Sequence, residues 1–254
     1  MIMNKNQISH ITKEEYRLKI PDRILIVPIG STEQHAKHLP LGVDAIISEN
    51  IAYRLAERIN GLVAPTVNYG YKSLPTSGGG PLFPGTIDLN GTTFINLIKD
   101  IIVEFLDDGW QKIIILNGHF ENKPFLVEAI DIIFRKQKKD FPKVLITDWY
   151  ENISSELIPK IFNKIPFPGW ELEHAAIVET SVMMFLKQEL VHEEYILDEG
   201  IERVPTYYRF PPSKNLIPKS GCLHTARSSS SQKGSQIVEN VLVNLEKIIN
   251  KEFY

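Results

Sequence analysis

Residues 23–44 read RILIVPIGSTEQHAKHLPLGVD, and the whole architecture can be worked outward from them. The apolar run from Ile24 to Ile29 breaks at Gly30 into a polar segment holding Glu33, His35, His38 and Asp44. That pattern predicts a buried strand ending in a loop of metal-ligating residue types. The same grammar returns downstream. Lys112 to Leu116 is the strongest strand in the chain, and it ends in Asn117-Gly118-His119-Phe120-Glu121-Asn122. Leu62 to Thr66 and Lys143 to Thr147 are two further strands, the latter followed by Asp148-Trp149-Tyr150.

Between these runs the spacing turns helical. Ile11 to Leu18 opens on Thr12 with Glu15 three residues on, a capping box. Residues 44–59 carry apolar side chains at 47, 51, 52, 55 and 59 and stop at Asn60-Gly61. Helices are also expected over 92–108, from the 117–122 loop to about Lys138, from Gly169 to about Lys187, and over 232–250 behind a polar turn at Ser228 to Ser231. Residues 68–90 read as a long loop containing SGGG, and 188–220 show no pattern. Short apolar strands alternating with helices predict an α/β fold, a parallel sheet covered on both faces. In such sheets ligands gather beyond the carboxyl ends of the strands, where Glu33, His35, His119, Glu121 and Asp148 all fall.

Composition narrows the class. The 254 residues are 43 % hydrophobic and 23 % charged, enough for one sizeable core, and 1–254 is read as one domain. A net charge of −3 gives no electrostatic case for nucleic acid or an anionic membrane. One cysteine, Cys222, excludes an internal disulfide and fits a reducing compartment. No apolar run approaches a membrane span, and the first residues lack the apolar region of a signal peptide. A cytoplasmic protein is the expectation.

Two histidines and several carboxylates on one rim suggest divalent metal, with imidazole suiting zinc and carboxylate also suiting manganese. There are more ligands than one tetrahedral ion needs. A carboxylate shared by two ions would use them all, and such pairs activate water for hydrolysis. Asp44 is the natural bridge. Taken singly, each residue has a plainer reading: Glu33 or His35 as a solvated loop group, Asp44 as a helix N-cap, His38 as a structural hydrogen-bonder. The coincidence of two ligand-bearing loops is what favours the metal. The glycines of SGGG suit close backbone approach to a substrate or a simple turn. They lack the Lys-Ser/Thr ending of a phosphate loop.

Five segments then match one family in order: PIGSTEQHAKHLPLGVD, NYGYKSLPTSGGGPLFPGT, NGHFEN, GWELEHAAIVETS and GCLHTARSSSSQKG. Together they resemble the creatininase (creatinine amidohydrolase) family over about residues 24–245. The resemblance implies a three-layer α/β/α fold, a homohexamer, and a two-metal hydrolase that opens creatinine to creatine, reversibly. It further implies that Glu33, Asp44 and His119 hold one ion, manganese or zinc, and that His35, Asp44 and Glu121 hold a second, zinc. His174 would be the catalytic acid–base, with Glu121 also catalytic. Ser77, Phe120 and Glu171 fall at substrate-contact positions, and Trp149 and Trp170 at aromatic positions lining the pocket. His174 also reads as a helix-start hydrogen-bonder beside Glu173, and Trp170 as ordinary packing or part of a moving lid.

Four departures bear on the substrate. Phe120 stands where the creatinine-acting branch has Tyr, and Glu171 replaces Asp. Ala36-Lys37 and Ala175-Ala176 replace Gly-Pro and Gly-Gly. Alternatives are therefore another small cyclic amide, a formamide or a cyclic polyol ketone as substrate. From a different class comes a metal-binding oligomer without turnover. Metal analysis followed by a creatinine assay separates them.

Overall fold

The computed structural model describes residues 6–137, 139–163, 165–201, 203, 205–213 and 215–254. In chain order these form α1 (Lys13–Lys19), β1 (Leu25–Ile29), α2 (Val43–Ile59), β2 (Leu62–Val63), α3 (Gly91–Asp107), β3 (Lys112–Asn117), α4 (Lys123–Gln137), β4 (Lys143–Asp148), α5 (Ile158–Phe162), α6 (Ile177–Leu186) and α7 (Ser231–Phe253), with short 3-10 turns between. The expected end of α4 at Lys138 lies outside the described residues. The capping box at Thr12 is formed, with Glu15 N–H donating to its hydroxyl at 3.3 Å and Glu15 Oε2 accepting from its N–H at 2.8 Å. α2 ends where Asn60 turns left-handed at φ 53°, and Ser230 caps α7.

The four strands are parallel in the order β2-β1-β3-β4. Their side chains divide by alternation. Ile24, Ile26, Ile114 and Leu116 pack beneath α2, α6 and α7. Leu25, Val27, Ile29, Ile113 and Ile115 pack beneath α3 and α4 with Trp110 and Phe94. Both faces are dry, which is why the strands read as unbroken apolar runs. This parallel sheet flanked by helices is the architecture expected from the sequence.

The order also locates the site. From β1 the chain crosses through α2 to β2 on one side, whereas from β3 it crosses through α4 on the opposite face to β4 on the other. The connections diverge between β1 and β3, which makes the crevice beyond their carboxyl ends the topological switch point. Two glycines close that crevice around the start of α2. A Cβ on Gly30 would run into the Ala45 backbone, and one on Gly118 into the Asp44 carbonyl. Lacking side chains, the ends of both strands admit the helix backbone directly, and Asp44 is held between them.

Two elements differ from expectation. β2 has only two residues; beyond it Val67 joins β1 through a single bridge to Ile29. α6 starts at Ile177 rather than Gly169, because Trp170–Leu172 form a 3-10 turn and Ala175 sits at φ 54°. A left-handed alanine cannot lie inside an α-helix, so Glu173 and His174 are presented from a bent loop.

Candidate metal centre

The β1 loop, the first turn of α2, the β3 loop and the first turn of α6 meet at the switch point. Asp44 lies at the centre, 2 % exposed, with its two oxygens facing different histidines. Oδ1 is 3.2 Å from His35 Nε2, and Oδ2 is 3.1 Å from His119 Nδ1. Glu33 Oε1 is 2.9 Å from the same His119 nitrogen. Glu179 Oε2 lies 3.7 Å from His35 Nε2. Two three-donor groups result, Glu33–Asp44–His119 and His35–Asp44–Glu179, each compact enough for one ion to touch all three. A third group, Glu33–His35–His174, is equally compact.

The imidazoles are oriented by backbone. His35 Nδ1 is 3.2 Å from the Glu33 carbonyl, and His119 Nε2 is 3.1 Å from the Tyr71 carbonyl. Each ring gives one N–H to the main chain and turns its other nitrogen to Asp44, the usual outer arrangement of a metal-ligating histidine. Glu33 Oε2, His35 Nε2 and Asp44 Oδ2 are buried without a hydrogen-bond partner among the described residues. Converging atoms of that kind are normally satisfied. A pair of divalent cations is the group their chemistry fits.

Without cations, charge is balanced by protons. Burial would lower His35, but the Asp44 and Glu179 carboxylates outweigh it and hold the imidazole up at about 10. His119 is likewise raised well above its ordinary value against burial, by Glu33 and Glu121. Burial would raise Asp44 and Glu33, yet the histidines hold both below the ordinary carboxylate value. At Glu179 burial prevails over His35 and lifts the carboxyl to about 8.

Glu121, expected with His35 and Asp44, lies elsewhere. Its Oε1 accepts from the Ser77 hydroxyl and the Leu74 N–H, and its Oε2 faces His119 Nε2 at 3.3 Å. Glu179 takes the expected place beside His35. Glu121 itself sits in a short 3-10 turn, Phe120–Asn122. Asp148 also stands apart, paired with Lys123 at 2.8 Å and accepting from Asn117 at 2.6 Å. His38 is bonded to Thr180 Oγ1 at 3.0 Å.

Beside the two groups is a cavity of about 30 Å³ lined by Trp149, Tyr150, Trp170, Phe120, Glu173 and Val178. Glu171 is exposed and outside that lining, while Glu173 is buried within it. His174 packs against His35 with ring centres 4.4 Å apart and planes tilted by 33°, its Nδ1 3.8 Å from Glu33 Oε1. Burial pushes it down to about 4, so the imidazole is neutral. Glu179, Glu173 and Tyr150 were not singled out from the sequence. The available signal for Glu179 was that it is the single charged residue in the run AAIVETSVMM.

Comparison with known proteins gives the same answer. The family model described as "Creatininase: Creatinine amidohydrolase" matches residues 9–249. A creatinine amidohydrolase of Pseudomonas putida is 34 % identical, covering 97 % of this chain and 96 % of its own. A creatininase variant complexed with creatine superposes at a TM-score of 0.94 with 34 % identity, covering 98 % of both chains. A zinc–zinc form superposes at 0.94 with 33 % identity over 97 % of this chain and 98 % of its own. A manganese creatininase superposes at 0.93 with 34 % identity, covering 98 % of both. Sequence, fold and donor geometry agree, and the chain belongs to the creatininase family.

Proposed function

We propose that this protein is a two-metal amidohydrolase that opens the ring of creatinine to give creatine, and closes it in reverse. The observation that carries the reading is Asp44, whose two oxygens each face a different histidine within a different three-donor group. Glu33, Asp44 and His119 would hold one ion, and His35, Asp44 and Glu179 the other. Zinc and manganese are the ions named for its structural relatives, and both suit imidazole with carboxylate. When bound, such a pair supplies Lewis acidity and an activated water.

The chain's own residues do the rest. Trp149, Trp170, Phe120 and Tyr150 make an apolar wall that excludes bulk water and offers flat faces to a planar ring. The cavity holds about one water at its present size, so that wall must shift to admit a substrate. Glu121 belongs to none of the three-donor groups found among the described residues. Burial, set against His119, leaves its carboxyl raised, a suitable state for exchanging a proton with the reacting atoms. Ser77 fixes its orientation. His174, with Nδ1 turned toward Glu33 Oε1 at 3.8 Å, is the imidazole beside the ion sites that would remain free to serve the reaction.

The test is metal analysis of the purified protein followed by assays with creatinine and with creatine. Two ions per chain and turnover in both directions are expected. Two ions with no creatinine turnover would move the substrate to another cyclic amide. Absence of tightly held ions would overturn the reading.

A further inference from the structure

The proposed chemistry leaves Gln34 without a role, although it sits between Glu33 and His35 and is 5 % exposed. Its carboxamide ties three segments together. Oε1 accepts from the Ala36 N–H at 2.9 Å, while Nε2 donates to the Gly78 carbonyl at 2.7 Å and the Gly221 carbonyl at 3.0 Å. His174 Nε2 lies 2.9 Å from the same nitrogen. Gly221, at φ 83°, reaches this position because a Cβ there would collide with the carboxamide.

These contacts fix which end of the amide is which. Exchanging O and N would set an oxygen against two carbonyl oxygens and an NH₂ against an N–H. The amide nitrogen therefore faces His174, sharing its two hydrogens among three acceptors and having no lone pair to give, so an N–H on His174 Nε2 would find no acceptor in it. An imidazole nitrogen meeting hydrogens must offer a lone pair, so Nε2 is bare and the ring's single hydrogen is on Nδ1. That nitrogen is the one turned toward Glu33 and the ion site.

We infer that Gln34 is a positioning residue that locks His174 as its Nδ1–H tautomer, so that His174 serves the reaction as a neutral hydrogen-bond donor and not as a base. A base needs a lone pair facing the proton it takes. In His174 that lone pair is on Nε2, turned away and held by Gln34. A donor aimed at the oxygen where charge develops is the commoner source of large rate effects, and neutral imidazole can fill that part. The tautomer stands independently of the substrate; the donor role rests on the proposed hydrolysis.

The experiment has two arms. In zinc-loaded protein with ¹⁵N-labelled histidine, two-bond ¹H–¹⁵N correlations report each ring's tautomer, with His174 assigned by its loss in His174→Asn. Wild type should show Nδ1–H. Gln34→Glu places an acceptor against Nε2 and should move the hydrogen there. An Nε2–H wild type overturns the inference outright, whether or not the variant folds, as does a folded Gln34→Glu with its tautomer unchanged. Neither result depends on creatinine being turned over. In the second arm, Asn places an amide N–H near the position of Nδ1. His174→Asn should retain kcat within about 10-fold, while His174→Ala loses about 10²–10³-fold, the worth of one such donor. Equal losses in the two variants would overturn the donor role.

Discussion

Asp44 and Asp148 are both buried carboxylates at the same edge of one sheet, and they are neutralised in different ways. Asp148 has Lys123 and Asn117, a fixed cation and a neutral amide. Burial still prevails and raises its carboxyl. Asp44 has only imidazoles, and His35 and His119 overcome burial to hold it in the charged form. A lysine ammonium is part of the chain and cannot be exchanged. Imidazole protons can leave and be replaced by a metal ion. The difference separates a carboxylate that supports the architecture from one that is prepared for a cofactor.

The strongest way to break that distinction is to neutralise each in turn. Asp44→Asn should weaken binding of both ions by about 10²–10⁴-fold, the scale of removing one partner from a buried charge cluster, and turnover should vanish. Asp148→Asn should keep two ions per chain after dialysis. Equal metal loss from the two variants would erase the contrast. Glu179→Gln sharpens it within the site, with one ion weakened by about 10²-fold and the other retained. Metal content by mass spectrometry reads both, and retention of two ions would return Glu121 to the ligand set.

Protons provide the next test. Because His35 is raised to about 10 by Asp44 and Glu179 against burial, cation uptake must displace its proton, and that of His119 as well. Loading should release about two protons and weaken up to about tenfold per proton for each unit of pH lost. Calorimetry in buffers of different ionisation enthalpy counts them. The sign for the metal-free protein is opposite. A raised histidine stabilises fully below about pH 6.5, and its contribution disappears as pH rises through about 10. The melting temperature of chelated protein should therefore fall over that interval. A flat profile would show that the imidazoles are not charged partners.

The smallest effect belongs to the cavity wall. Phe120 is 42 % exposed, so Phe120→Tyr should leave the melting temperature unchanged. If its hydroxyl reaches creatinine, KM should drop by about 2–10-fold, the value of one neutral hydrogen bond. An unchanged KM would show that the ring is recognised without it.

Much of this was legible in the residues. Runs such as Ile24–Ile29 and Lys112–Leu116 could only be buried strands, and the loops behind them announced Glu33, His35 and His119. Asp44 was marked as the bridge by its place beside the first loop. Glu179 was not legible, because its importance depends on where α6 begins. Nothing in Glu173-His174-Ala175-Ala176 says that Ala175 will turn left-handed and delay the helix. The helical period ran through the segment, and it was overridden by the long-range bond from the Leu223 N–H to the His174 carbonyl together with the local one from the Ala175 N–H to the Glu179 carboxylate. Glu121 was grouped with His35 and Asp44 through the family resemblance; here its carboxylate meets Ser77, Leu74 and His119.

The bare backbones at Gly30 and Gly118 have one further consequence. His35 and His119 lie in the loops that follow β1 and β3, neighbouring strands that in any parallel sheet stand about 4.8 Å apart. Asp44 is wedged between those two strand ends, its backbone lying against both glycines. A methyl group added at Gly118 would press on the Asp44 carbonyl, and one at Gly30 on the Asp44–Ala45 peptide, so either would displace the shared carboxylate while leaving every donor side chain chemically intact.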